Sequence, residues 1–551
     1  MNIKYSNLAI VSAMAFFISI LSIFHSFKNK KFILFFVCSF GFISVSFAQK
    51  LIYFPPVPKD TSKKKKIEII KSDSLLYQTL ELGKYRKLIG NVQLKHLDAF
   101  MFCDSAIIDI DANYMTAYGK QVHIKKGDSV DVWGNFLEYF GDLKQGRLTG
   151  MCSMRDKTMV LTAPELNYNT ETDLGSYMSG GRVVNKETNI TSAIGYYYHQ
   201  TNTAVFYGDV VLKSPESTIY TDSLRYNTNK EIAYFITKTT IIDKDSNVII
   251  THSGYYDTKE EKAFLGNNAI IKKGDAKVSA QSIDYNKKTK IAIAEGNVTY
   301  QDSSDRTTIL SNYIYSDENN ALVRAYKDPL MITVSEDEKD TMYLSADTLF
   351  SYRTLSTDSI KLNDDIENND SIKIIKAWYR MKMIQGKMSA VADSMFYSEA
   401  DSIFKLYIKP ILWMDSTQIT GDSIYLYNKN KGIERIDIFN NSFIIRLQAL
   451  DVYDQIKGTY IHDKKINLVN VDGSAESIYF IKDKDAYNGA NKSVSGFINV
   501  FFKDGDVNRI KLTGSPEAEF TPMKKINLST FRLNNFQWNG TLQPKSKYDV
   551  I

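Results

Sequence analysis

The chain has 551 residues, is 24% charged and carries a formal net charge of +5. That charge is spread thinly with no dense basic face, which argues against nucleic acid as a partner. Three cysteines are too few for a disulfide-built scaffold, and the six histidines lie too far apart in sequence for a metal site.

Met1 to Ala48 contains two apolar runs. The second has the form of a secretory signal: Lys28, Lys30 and Lys31, then Phe32 to Phe42, then Ser46-Phe47-Ala48 before Gln49. The first, Asn7 to Phe27, is either a dispensable extension or a membrane anchor. Val37 before Cys38 does not suit a lipoprotein cysteine. Cys103 and Cys152 read either as a pair bridging neighbouring repeats or as two isolated buried thiols. Residues 49–71 read as a linker, with Pro55, Pro56, Pro58 and the run Lys63 to Lys66. The lysines suit a solvated tether; contact with an anionic membrane surface is the sharper alternative.

From 72 to 353 one unit recurs about every 29 or 30 residues, clearest in Ala280 to Val298. Fixed periods of this size mark stacked supersecondary units. Its anchor is an aromatic residue before a polar turn, at Tyr139, Tyr168, Tyr197, Tyr226, Tyr256, Tyr285 and Tyr315. Asp109 holds the place one step earlier, Tyr77 begins the series, and looser copies follow at Tyr352, Tyr397, Tyr427 and Tyr460. Two residues before the anchor, on the same strand face, sit Leu137, Leu166, Leu224 and Ile283. After it come Asn- and Asp-rich hairpin turns. Seven residues past it the side chain is small: Gly146, Gly175, Ala204, Ala233, Ala263 and Ala292. A hairpin sets that position opposite the ring and gives it room. A Gly-x-Val step follows at Gly90, Gly208 and Gly296, where glycine within a strand pattern indicates a bulge or bend.

Residues 354–376 are an acidic insertion loop, 377–513 a second and looser array, and 514–551 a cap or tail. Past residue 70 there is no long helical period, while Tyr, Ile, Thr and Val abound. The expected fold is all-β: a repetitive antiparallel β jelly roll, or a solenoid-like, extended and open-ended sheet sandwich.

Chemistry is sparse. There is no zinc-site cysteine spacing, no phosphate-binding glycine loop and no singled-out carboxylate pair. The Asp-Ser pairs at Asp104, Asp222, Asp393 and Asp422 recur at one place in the unit, so they read as structural hydrogen bonds at strand entry. No catalytic residue, metal or cofactor is expected. The Tyr anchors have two readings, core packing or the wall of an apolar groove open to lipid. An acyl chain of a dozen carbons would gain roughly 8–10 kcal/mol gross in such a groove.

Exported repeats of the form Ala-x-x-Ile/Leu-x-Tyr-Asn/Asp, with a later Gly-x-Val, resemble the OstA-like or LptA-like periplasmic domain of lipopolysaccharide transport. Thr221 to Val298 carries the resemblance best. It implies a twisted, open-ended jelly roll whose apolar interior holds lipid acyl chains and whose end strands pair with other transport proteins. The groove positions it implies are Leu137, Tyr139, Leu166, Tyr168, Leu224, Tyr226, Ile283 and Tyr285. The chain has more repeats than a small bridge domain needs, and it shows no run of lipid-facing barrel strands. The expected function is binding and conduction of lipopolysaccharide, or a related glycolipid, in the periplasm or envelope of a Gram-negative bacterium. The alternative from another class is an envelope scaffold or surface adhesin with a dry interior.

Overall fold

A computed structural model of the protein describes residues 65–550, apart from 81–82, 336–339, 356–370, 430–431, 449–450, 464–467, 484–485 and 504–505. The expected signal and upstream apolar run lie outside the described residues, as do most of the linker and the centre of the acidic insertion. Among the described residues, forty strands form one antiparallel sheet. None of their helices is long and apolar enough to cross a membrane.

The sheet is folded over on itself. A typical strand, Val130–Phe140, buries Val130 and Val132, then changes parity and buries Leu137 and Tyr139. The change falls where the ladder skips, between Trp133 and Phe136 against the next strand. At each such bend the chain passes from one layer of the fold to the other. Its inward face would point outward beyond the corner without the extra residue. The Gly-x-Val steps are these corners: Gly90, Gly208 and Gly296 have φ of 77°, 73° and 75°, and the next residues, Asn91, Asp209 and Asn297, are left-handed too. Glycine adopts this conformation at no steric cost. The Asp-Ser pairs also sit at corners rather than at strand entry. Asp104 accepts a hydrogen bond from the Lys120 backbone N–H at 2.8 Å, and Asp422 from the Asn441 side chain at 3.1 Å.

The inward faces of the two layers meet in one apolar core running from Leu88 to Val500. In the first layer a single row crosses strand after strand, through Ile124, Val132, Met154, Leu161, Val183 and Ile190, all buried. In the second layer the anchor tyrosines lie directly opposite the small residues: Tyr139 faces Gly146, Tyr168 faces Gly175, and Tyr197 faces Ala204. Up to Ala263 each small residue also faces the next tyrosine, as Gly146 does Tyr168 and Ala263 does Tyr285. Tyrosine and small side chain therefore alternate across the layer.

Several sequence expectations change. Tyr315 faces outward, because Ile314 takes the core position beside it. Tyr352, Tyr427 and Tyr460 are likewise on the outer face, whereas Tyr397 stacks inward on Phe404 at 4.5 Å. Residues 68–71, expected as linker, form an edge strand on the strand Gly83–His96. The two arrays are one sheet: Thr348–Leu355 pairs with Ser371–Gln385, so both ends of the expected acidic loop are strand. The tail runs back over the outer face of the first layer. Leu533 N–H donates to Gln455 at 2.8 Å, Gln418 bonds Gln537 and Asn539, and Phe531, Phe536 and Trp538 pack on a satellite cluster with Phe443 and Phe480. Cys103 and Cys152 are free and buried. Burial pushes their thiols up to about 12 and about 11.

Candidate functional site: an opening between the layers

From Leu88 to Ile241 the interior is filled. Leu137, Tyr139, Leu166, Tyr168, Leu224 and Tyr226 are all 0% exposed. The hydroxyls of Tyr139, Tyr168 and Tyr177 find partners, whereas that of Tyr226 is buried without one among the described residues. Tyr139 bonds Thr170 at 3.0 Å and His96 at 2.7 Å, Tyr168 donates to Asp173 at 2.9 Å, and Tyr177 bonds Ser192 at 2.7 Å. Burial pushes the Tyr139 hydroxyl up to about 12. Burial, then the charge of Asp173, drives that of Tyr168 far above the ordinary range. Six of the eight expected groove residues thus sit in a closed core.

Past Ile241 the layers part around a cavity of about 540 Å³, a size that suits a small-molecule ligand. The cause is a lapse in the tyrosine ladder. After Tyr285 the equivalent positions are Ala292, Ser316, Val323 and Ser351, paired in sequence across the strands. All four line the cavity. Bulk returns only with Ile375, Tyr397 and Phe404. Because the strand Thr307–Asp317 turns Tyr315 outward, a serine stands where the next ring would stand. Opposite, Ile249, Ile271, Val278 and Tyr300 of the first layer are only half-buried and also line the space. Of the expected groove residues, Ile283 and Tyr285 border this cavity. Ile283 is itself fully covered; Tyr285 is half-buried, its hydroxyl pushed up to about 12 by burial and then by Glu318.

The hairpin tips of the two layers face each other along a seam closed by ion pairs. Lys126 meets Asp173 at 2.8 Å, Lys186 meets Glu231, and Lys273 meets Glu318. Glu216 takes Lys287 at 2.6 Å and Lys244 at 2.9 Å, and these hydrogen bonds hold its carboxyl down at about 2. Asp305 takes Arg353 at 2.5 Å and Lys373 at 3.0 Å. Between the Glu216 and Lys273 clasps, Asp243, Asn247 and Lys290 border the cavity, and among the described residues no ion pair joins them across the seam. That gap is the mouth. Sequence reasoning missed the seam. Its signal was faint: lysine and glutamate on hairpin tips 45 residues apart, one and a half repeats, as in Lys186–Glu231 and Lys273–Glu318.

The family comparisons agree with this architecture. The family described as OstA-like protein matches residues 64–222 and 210–281, and the family described as LptA/(LptD N-terminal domain) LPS transport protein matches residues 277–432. Among solved structures, the chain is similar to LptH, the LptA-homologous periplasmic component of the lipopolysaccharide transport device of Pseudomonas aeruginosa. The identity is 14% and the TM-score 0.18, over 20% of this chain and 80% of that one. No match is found among curated proteins. With two family matches running end to end over residues 64–432 of an all-antiparallel folded sheet, the chain belongs to the OstA-like, LptA-like lipopolysaccharide-transport family.

Proposed function

We propose that the protein binds lipopolysaccharide, or a closely related glycolipid, and passes it along the periplasm toward the outer membrane. The observation that carries the reading is the opening between the layers, where Ser316 and Ser351 stand in place of the rings that fill the core elsewhere. Its walls are apolar and its rim is charged, as an amphiphile requires. Acyl chains enter at the mouth beside Lys290 and lie against Ile249, Ile271, Val278 and Tyr285. Each buried methylene contributes about 0.8 kcal/mol. Onward passage through the filled copies needs the layers to part, and Leu137, Tyr139, Leu166, Tyr168, Leu224 and Tyr226 then become the walls. The seam ion pairs suit that motion, since paired charges near the surface separate at small cost. No step calls for bond chemistry at the protein.

The strands at each end support hand-over to other transport proteins. Among the described residues, Ser74–Leu80 pairs only with Gly83–His96, and Asp506–Thr513 only with Ala486–Lys503. Each leaves a free edge on which a partner strand can add.

The filled section from Leu88 to Ile241 favours a second reading, a spacer in the envelope with no lipid cargo. A photo-crosslinking residue at Tyr285 separates the two. The transport reading expects a lipopolysaccharide adduct at Tyr285, formed sooner than one at Tyr168. No adduct at either position, with no glycolipid in mass spectra of the native protein, would leave the spacer reading standing.

A further inference from the structure

The outer face of the second layer changes character beside the cavity. Across successive strands one outward row runs Arg324, Phe350, Lys376, Phe396, Lys405, Tyr425, so cation and ring alternate. The cations lie over the rings: Arg324 is 4.7 Å from the centre of Phe350, Lys376 is 5.8 Å from that of Phe396, and Lys405 is 5.8 Å from that of Tyr425. A parallel row runs Tyr326, Thr348, Trp378, Ser394, Tyr407, Ser423, alternating ring and hydroxyl. Neither row contains a carboxylate. Lys405 is paired by Asp401 from a hairpin end at 2.8 Å, but Arg324 and Lys376 have no carboxylate partner among the described residues. The Arg324 Nε is buried with no hydrogen bond. Trp378, at the middle, is 43% exposed. Earlier on the same face the pattern is different, with Asp284 and Glu295 among the outward residues.

Cross-strand pairs of this kind help hold a sheet together. They do not explain two cations, Arg324 and Lys376, without a carboxylate partner on an aromatic surface, a combination that marks a recognition face. Its chemistry fits anionic sugar. The negative faces of the rings attract the C–H groups of a pyranose. The serine and threonine hydroxyls can bond sugar hydroxyls, and guanidinium and ammonium groups hold phosphate or carboxylate substituents. The face also adjoins the cavity. Tyr352 borders that cavity and carries Lys376 over its own ring at 5.2 Å.

We propose that this face is a glycan platform: the anionic sugar portion of an amphiphile leaves the cavity along its border at Tyr352 and lies across the row from Arg324 to Tyr425. The inference rests on the lipid reading of the cavity. It adds a second, polar subsite on the opposite side of the sheet from the acyl chains. Both parts of the ligand are thereby held by one stretch of chain, from about 243 to 425.

The test uses the full chain and three probes: intact lipopolysaccharide, the lipid-free polysaccharide released from it by mild acid, and phosphatidylglycerol vesicles. Trp378 fluorescence reports the face, with Trp378→Phe to assign the signal, and a crosslinker at Tyr285 reports the cavity. The polysaccharide alone is expected to shift Trp378 emission saturably without affecting the Tyr285 adduct. The double substitution Lys376→Glu with Lys405→Glu, at two half-buried side chains of this face, is expected to weaken that binding at least tenfold. Intact lipopolysaccharide that labels Tyr285 while Trp378 stays silent overturns the platform and leaves the transport reading intact. Polysaccharide binding unchanged by the double substitution also overturns it. Vesicles that give the same Trp378 response replace the sugar with a membrane surface. Lipopolysaccharide that labels no cavity position defeats the transport reading itself.

Discussion

At Gly195 the backbone of the second layer runs under the ring of Tyr177, and a Cβ there would overlap that ring. Gly175 makes similar room for the Met154 sulfur from the opposite layer. These glycines are packing requirements, set at Gly195 by a ring on the neighbouring strand and at Gly175 by what the facing layer inserts. Gly195→Ala should therefore cost about 1–3 kcal/mol, the range for overpacking a filled core. A lowered thermal midpoint checks this, and an unchanged one would mean the ring has somewhere else to go. In the other direction, Tyr168→Ala should cost about 3–5 kcal/mol, because a fully buried ring leaves a cavity and Asp173 keeps Lys126 but loses a hydroxyl donor. The ring–small pairing was legible in the sequence, since the spacing of seven across a hairpin sets those residues opposite. Whether a given ring closes the core or faces a ligand was not, because alternation fixes a shared face without saying what lies across from it.

At the scale of the strand pair, the decisive devices are the corner and the seam. The corner was visible as Gly-x-Val, but its meaning, a change of layer, was not. One strand passes through both layers, and a local pattern cannot report a fold of the whole sheet. Some later corners dispense with glycine, as at Tyr379 and Arg380 with φ of 64° and 53°. That substitution is why the second array looked looser and separate. The outward position of Tyr315 has a related origin: the residue joined to Tyr285 through Ala292 is Ser316, 31 residues on, so a step of 30 falls one residue short and on the opposite face. The seam escaped notice because its partners lie on different hairpins. Its clearest test is pH. Glu216 is held at about 2 against an ordinary 4.5 by Lys287 and Lys244. A carboxylate with a lowered folded value supports the closed form fully above about 4.5, and that support is lost as pH falls through about 2. Spin labels at Lys213 and Lys288, flanking this clasp, should read a longer distance at low pH than at neutral pH. An unchanged distance would show that the clasp does not close the seam.

Over the whole molecule, one sheet is divided by side-chain size into a filled section, an opening and a second filled section. Backbone hydrogen bonding is continuous through all three, so stability differs by packing alone. Amides of the strands between about 160 and 241 should exchange more slowly than those between about 248 and 323, where the layers lose contact. Uniform exchange would mean that the cavity does not loosen the sheet. The all-β class and the repeat were readable because they depend on local spacing. The opening was not, because it depends on which rows of the two layers end up opposed. Only its first wall, Ile283 and Tyr285, fell within the expected groove.

The account stands most directly on the lapse of the ladder at Ser316. Ser316→Tyr restores the missing ring, and titration of lipopolysaccharide against this variant and the parent protein is the measurement that tests it. The expected result is at least a tenfold loss of affinity with no fall in thermal midpoint, since the ring enters empty space. Parental affinity in a variant that is folded and no less stable would contradict the claim that lipid occupies this cavity.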